Sequence, residues 1–141
     1  MPFSANWLSI LMAAVAAWMF GGLYYGLLAK PWVAAMGRGM AEFKAEQATR
    51  TALANATPFI LSFVAEIVMA GVLSGIIIHV GIFSMRAGII SGVLCWFGFV
   101  LTTLSVNYAY GGRRPMLTLI DAGHWLGALV IMGGILGWMG R

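Results

Sequence analysis

Thr57-Pro58-Phe59-Ile60-Leu61-Ser62-Phe63-Val64-Ala65-Glu66-Ile67-Val68-Met69-Ala70-Gly71-Val72-Leu73-Ser74-Gly75-Ile76-Ile77-Ile78-His79 contains one charged residue, Glu66. A helix rising 1.5 Å per residue needs about 20 apolar residues to cross about 30 Å of hydrocarbon, and this stretch meets that length. Its apolar side chains surround the helix axis instead of alternating, so it does not read as a barrel strand.

Three further stretches have the same character. Residues 7–29 and 87–108 carry no charge, and residues 116–139 carry only Asp121 and His124. The pattern predicts an all-α, polytopic membrane protein: one domain over residues 1–141, with spans at about 7–29, 57–79, 87–108 and 116–139 packed as a four-helix bundle. Composition agrees. The chain is 62% hydrophobic and 9% charged, with a mean hydropathy of +0.94. A soluble domain carries roughly 25% charged residues, so these charges could not cover a soluble surface. Disordered chains are polar and charged, which excludes that class too.

The formal net charge is +4. The basic residues are too scattered to track phosphates, so nucleic acid is not an expected partner; the lipid bilayer is. Lys30, Arg38, Lys44, Arg50, Arg113 and Arg114 fall in the first and third connections, leaving Arg86 and Arg141 on the other side. The positive-inside rule then predicts a multi-pass protein of a bacterial inner (cytoplasmic) membrane with both termini on the outer side. The start lacks a basic region of the kind that opens a cleavable signal. Cys95, the single cysteine, excludes an intramolecular disulfide and a cysteine-based zinc site.

The first connection is the only sizeable segment outside the spans. Trp32, Met36, Met40 and Phe43 recur three to four residues apart, which predicts an amphipathic interfacial helix over about 32–53, with Gly37 and Gly39 breaking its start. Gly111-Gly112 is suited to end the third span and Pro115 to open the fourth.

Asn6-Trp7, then Gly22, Tyr25 and Trp32, mark the entry and exit of the first span. Gly88, Gly92 and Trp96-Phe97-Gly98-Phe99 mark the third, and Arg114-Pro115, Leu119-Ile120-Asp121-Ala122-Gly123, Ile131-Met132-Gly133-Gly134-Ile135 and Trp138 the fourth. In these residues the chain resembles the domain of unknown function 1761 family of small bacterial membrane proteins, along essentially its whole length and most specifically in the fourth span. The resemblance implies a four-helix protein of the bacterial inner membrane. It implies no activity and carries over no catalytic residue.

Ionisable groups inside a span cost about 2.5–3.5 kcal/mol at a helix centre, so they mark the candidate site. Counted from the basic end, Glu66 and His124 each lie about 14 Å in and Asp121 about 9 Å. Asp121 and His124, three residues apart, share a helix face. The expectation is one polar site of Glu66, Asp121 and His124, with Tyr24, Tyr25, Asn107 and Tyr108 lining it. As a functional site it would exchange a proton or bind a cation; as a structural one, Glu66 would bond His124 while Asp121 capped or paired with Arg113 or Arg114. His79 lies about 20 Å beyond Glu66, at the interface, so it cannot share a haem with His124 in one chain.

Glycine occurs 19 times, with Gly-x-x-x-Gly spacing at 22/26, 71/75, 88/92, 123/127 and 133/137. That spacing permits close helix approach, inside one chain or between copies. No phosphate loop, nucleotide fingerprint, zinc-protease motif or nucleophile elbow occurs. No catalytic residue, metal site or cofactor is expected. The leading expectation is a non-enzymatic homo-oligomer or an accessory subunit of a larger membrane complex. Its alternatives are a small proton-linked transporter or channel using Glu66, His124 and Asp121, and a lipid- or quinone-directed enzyme using the His124–Asp121 pair.

Overall fold

The computed structural model describes residues 5–140, so the amino-terminal residues and Arg141, which entered the orientation argument, lie outside it. The described residues form helices and no strands. In order these are α1 (Trp7–Leu27), α2 (Ala29–Ala35), α3 (Met40–Thr49), α4 (Ala52–Val80), α5 (Met85–Cys95), a π-helical turn (Trp96–Leu101), α6 (Thr102–Tyr110) and α7 (Pro115–Met139). α5, the π turn and α6 run on as one helix, Met85–Tyr110. With α1, α4 and α7 it makes four helices long and apolar enough to cross a membrane.

Local chemistry sets the helix ends. The side chains of Asn6, Thr51 and Ser84 accept from the backbone N–H three residues on, capping α1, α4 and α5. Gly81 closes α4 in the left-handed conformation, φ 74°, where glycine carries no Cβ penalty. The first connection breaks at Gly37–Gly39, as the glycines predict, but it does not run as one helix over 32–53. α2 follows α1 after only Leu28, Gly37 turns at φ 78°, and α3 ends before Thr51 caps α4. The cap starts α4 at Ala52, upstream of the apolar run, because the alanine-rich Ala52–Thr57 segment favours helix without being strongly apolar.

α7 is the central element. Twelve of its residues are buried, whereas α5 buries only Gly88 and Gly92 and α6 buries none. Glycines let α5 and α7 approach backbone to backbone. A Cβ on Gly88 would overlap the Gly133 carbonyl oxygen, and one on Gly92 the Leu129 carbonyl oxygen. The 88/92 and 133/137 pairs therefore bring the backbones of α5 and α7 together within one chain. Ile10, Ala13, Ala14, Ala17, Ala70, Leu73, Ile77, Ala128, Leu129, Met132 and Leu136 form the main core between α1, α4 and α7. A smaller core of Ala35, Leu117 and Ile120 lies at the basic end, walled by Tyr24, Tyr25, Trp32, Met36 and Tyr108. At the other end the Asn6 amide donates to the Met139 carbonyl (2.8 Å), tying the start of α1 to the end of α7.

Large apolar side chains cover the outside. Trp7, Leu27, Leu61, Leu94, Phe97, Phe99 and Trp138 are all more than 60% exposed. A soluble monomer rarely exposes contiguous apolar patches beyond a few hundred Å².

Candidate functional site

The polar interior is built around one turn and a half of α7, Ile120–His124. The Tyr25 hydroxyl on α1 donates to Asp121 Oδ1 at 2.6 Å, and the Tyr108 hydroxyl on α6 donates to Asp121 Oδ2 at 2.6 Å. Both are short, as hydrogen bonds to a carboxylate are. Tyr24 donates to the Ile120 carbonyl (2.7 Å), and the Trp96 indole donates to the Ala122 carbonyl (2.8 Å). A carbonyl has two lone pairs, so each can take this bond in addition to its helical one. Three elements thus donate into one segment of α7.

His124 sits one turn beyond Asp121 and is 5% exposed. Rings enclose it: Phe20 lies parallel at 6.1 Å between centroids, Tyr25 at 4.9 Å, Tyr24 at 5.7 Å and Trp125 at 4.6 Å. Small residues make room for this cage. A Cβ on Gly21 would stand 2.8 Å from His124 Nε2; one on Gly123 would stand 2.7 Å from the Tyr24 hydroxyl; and one on Gly127 would overlap Phe20. The 123/127 pair of α7 therefore receives the Phe20/Tyr24 pair of α1, i to i+4 against i to i+4.

Glu66 stands apart. It opens the buried stripe of α4 (Glu66, Ala70, Leu73, Ser74, Ile77) and is 1% exposed. Trp18 of α1 meets Phe59 and Phe63 of α4, while Gly21 meets His124. Glu66 is therefore about eight residues, or about 12 Å, further along the molecule than His124. The early start of α4 is one reason: it lengthens the helix ahead of Glu66. No hydrogen bond or ion pair joins Glu66 to His124 or Asp121. Glu66 Oε2, His124 Nδ1 and Trp32 Nε1 are buried without a hydrogen-bond partner.

The remaining expected site residues separate cleanly. Tyr24, Tyr25 and Tyr108 converge on Ile120 and Asp121, whereas Asn107 faces outward from α6. Asp121 engages tyrosines and neither arginine of the third connection; Arg114 instead donates to the Ala34 carbonyl (2.9 Å) on α2. The exposed His79 ends α4 far from this site. Among the described residues no three His, Cys, Asp or Glu side chains gather to hold a metal ion.

A family model described as "Protein of unknown function (DUF1761)" matches residues 8–137. The chain belongs to this family. No curated protein and no solved structure matches it. In this DUF1761 chain the matched region contains every side chain of the Asp121–His124 site.

Phe20, Gly21, Trp96 and Trp125 belong to the site but are not among the residues expected from sequence. Their signal was present for one pair only, in the matching four-residue spacings of Phe20/Tyr24 and Gly123/Gly127. The aromatic cage also makes a prediction. Gly21→Ala should lower stability by about 1–3 kcal/mol, because the imidazole it displaces has a ring on each side and little room to move. Thermal unfolding in detergent measures this; an unchanged midpoint would contradict the α1–α7 register.

Proposed function

We propose that this DUF1761 protein is a four-helix bundle of the bacterial inner membrane, with both termini outside, and that it acts without catalysis as a homo-oligomer or as a subunit of a larger membrane complex. The exposed apolar helices and the basic first and third connections support the placement. The observation that carries the association is how the glycine pairs divide. Those at 88/92, 123/127 and 133/137 meet neighbours inside the chain, whereas 22/26 on α1 and 71/75 on α4 meet nothing within 4 Å. Close-approach spacing left open on an apolar face suits a second helix. The site's chemistry fits a structural role, since both oxygens of Asp121 are taken up in joining α1, α6 and α7.

Purification in a mild detergent, with the particle mass measured, tests the association. More than one 15.1 kDa chain, or a stoichiometric second protein, is expected, and Gly75→Leu should reduce the assembly to single chains. A wild-type protein that is monomeric and alone contradicts it.

One observation favours a second reading, a proton-linked transporter. Glu66 is buried with an oxygen that has no partner, and such a group is costly within hydrocarbon unless a proton or cation meets it. On this reading, pH-driven proton flux into proteoliposomes falls by at least about tenfold in Glu66→Gln, the size of loss expected when a required titrating group is removed. Absent wild-type flux, or equal flux in the variant, rejects it.

A further inference from the structure

The third long helix does not follow α7 along its whole length. α5 is held against α7 by backbone contact at Gly88, Gly92 and Gly133. At Trp96–Leu101 the helix widens into a π turn. Such turns insert an extra residue, shift the helix register and often occur at functional sites. Beyond it, α6 has no fully buried residue and reaches α7 through the long side chain of Tyr108. A lateral cleft of about 610 Å³ opens between them, within the usual size range of small-molecule sites.

Its walls are almost wholly apolar. Trp96 closes the deep end, Leu101 and Ala109 line one side, and Leu119 and Leu126 line the other. Arg113 lies at the opposite end, where the chain turns from α6 to α7. Among the described residues the salt bridge is Arg38–Glu46, and no carboxylate pairs with Arg113. The site thus combines a long apolar slot, open to the side, with an unpaired cation at the end assigned to the inner face.

We infer that this cleft binds one acyl chain of an anionic phospholipid, with Arg113 holding its phosphate. The charge and the shape argue for this occupant together. Arg113 is exposed where the slot reaches the α6–α7 turn, so a phosphate can reach it there; a neutral apolar partner would make no use of that cation, and a free phosphate would leave the slot unfilled. Arginine is suited to phosphate because its planar fork donates two parallel hydrogen bonds. The inference rests on the membrane placement proposed above.

The test uses the full chain, reconstituted in equimolar phosphatidylglycerol and phosphatidylethanolamine vesicles, extracted in mild detergent and examined by native mass spectrometry for retained lipid. Flotation of the same vesicles reports insertion separately. Wild-type protein should retain phosphatidylglycerol about fivefold over phosphatidylethanolamine, the effect of one basic residue at an anionic surface. Arg113→Gln should bring that ratio to unity while still retaining lipid. Ala109→Trp, which fills the slot, should lose the retained lipid. All three proteins should float. Floating protein whose retained lipid matches the bulk ratio, or an Arg113→Gln variant with undiminished preference, overturns the inference and leaves the placement intact. Failure of the wild type to float overturns the placement itself.

Discussion

Gly88→Ala is expected to lower stability by about 3 kcal/mol, the upper end of the range for overpacking. Most overpacked sites relax by turning a side chain aside. Here the added methyl would overlap the Gly133 carbonyl oxygen, which belongs to α7's own hydrogen-bonded ladder. Only separation of α5 from α7 relieves that, and separation opens the backbone contact that the Gly88 and Gly133 pair makes between them. Gly98→Ala is the control. It lies in the same long helix with nothing within 4 Å, and should be neutral or slightly stabilising, because alanine restricts the unfolded chain more than glycine does. Unfolding in mixed detergent micelles measures both. Equal effects would mean that α5 and α7 do not meet through their glycines.

The second large effect is expected at Asp121. Asp121→Ala removes both hydrogen bonds to tyrosine and leaves two phenols at a buried joint of three elements. Hydrogen bonds to a charged group contribute about 1.5–3 kcal/mol in soluble proteins, and side-chain bonds in a membrane protein averaged about 0.6 kcal/mol. A loss of about 2–4 kcal/mol follows for the pair. Tyr25→Phe and Tyr108→Phe should each cost about half as much, and once Asp121 is alanine each should be neutral or recover some stability, because it removes a stranded hydroxyl. A double-mutant cycle reads this directly. Additive losses, or a cost below about 0.5 kcal/mol for Asp121→Ala, would show that the carboxylate does not join the helices.

The two predictions also show what was legible in the sequence. The four long helices were plain, because apolar runs of this length have few other uses. Asp121 and His124 stood out for the same reason, as polar groups in an apolar segment, and Tyr24, Tyr25 and Tyr108 could be placed near them by counting 1.5 Å per residue. Counting failed for Glu66 because it assumed that α4 begins with the apolar run, while the Thr51 cap begins it at Ala52. Counting also gives depth without direction, which is why Asn107, one residue from Tyr108, faces outward. Five glycine pairs looked alike in sequence. Only packing separates those that meet Leu129, Gly133 or Phe20 from those that meet nothing. The π turn had no sequence signal, since Trp96–Leu101 reads as ordinary apolar helix. His124 was identifiable as a polar residue, but its aromatic enclosure comes from α1 as well as α7 and needs the fold to assemble it.

Membrane placement underlies the proposed association, the second reading of Glu66 and the lipid cleft alike. Cysteine accessibility in intact bacteria tests it most directly, in a Cys95→Ala background that removes the single native thiol. Lys44→Cys reports on α3 and Ile82→Cys on the exposed turn between α4 and α5. The expected result is that a membrane-impermeant maleimide labels Ile82→Cys in intact cells and labels Lys44→Cys only after the inner membrane is permeabilised. Labelling of Lys44→Cys in intact cells, with Ile82→Cys protected, would contradict the orientation; recovery of the protein in the soluble fraction would contradict the placement altogether.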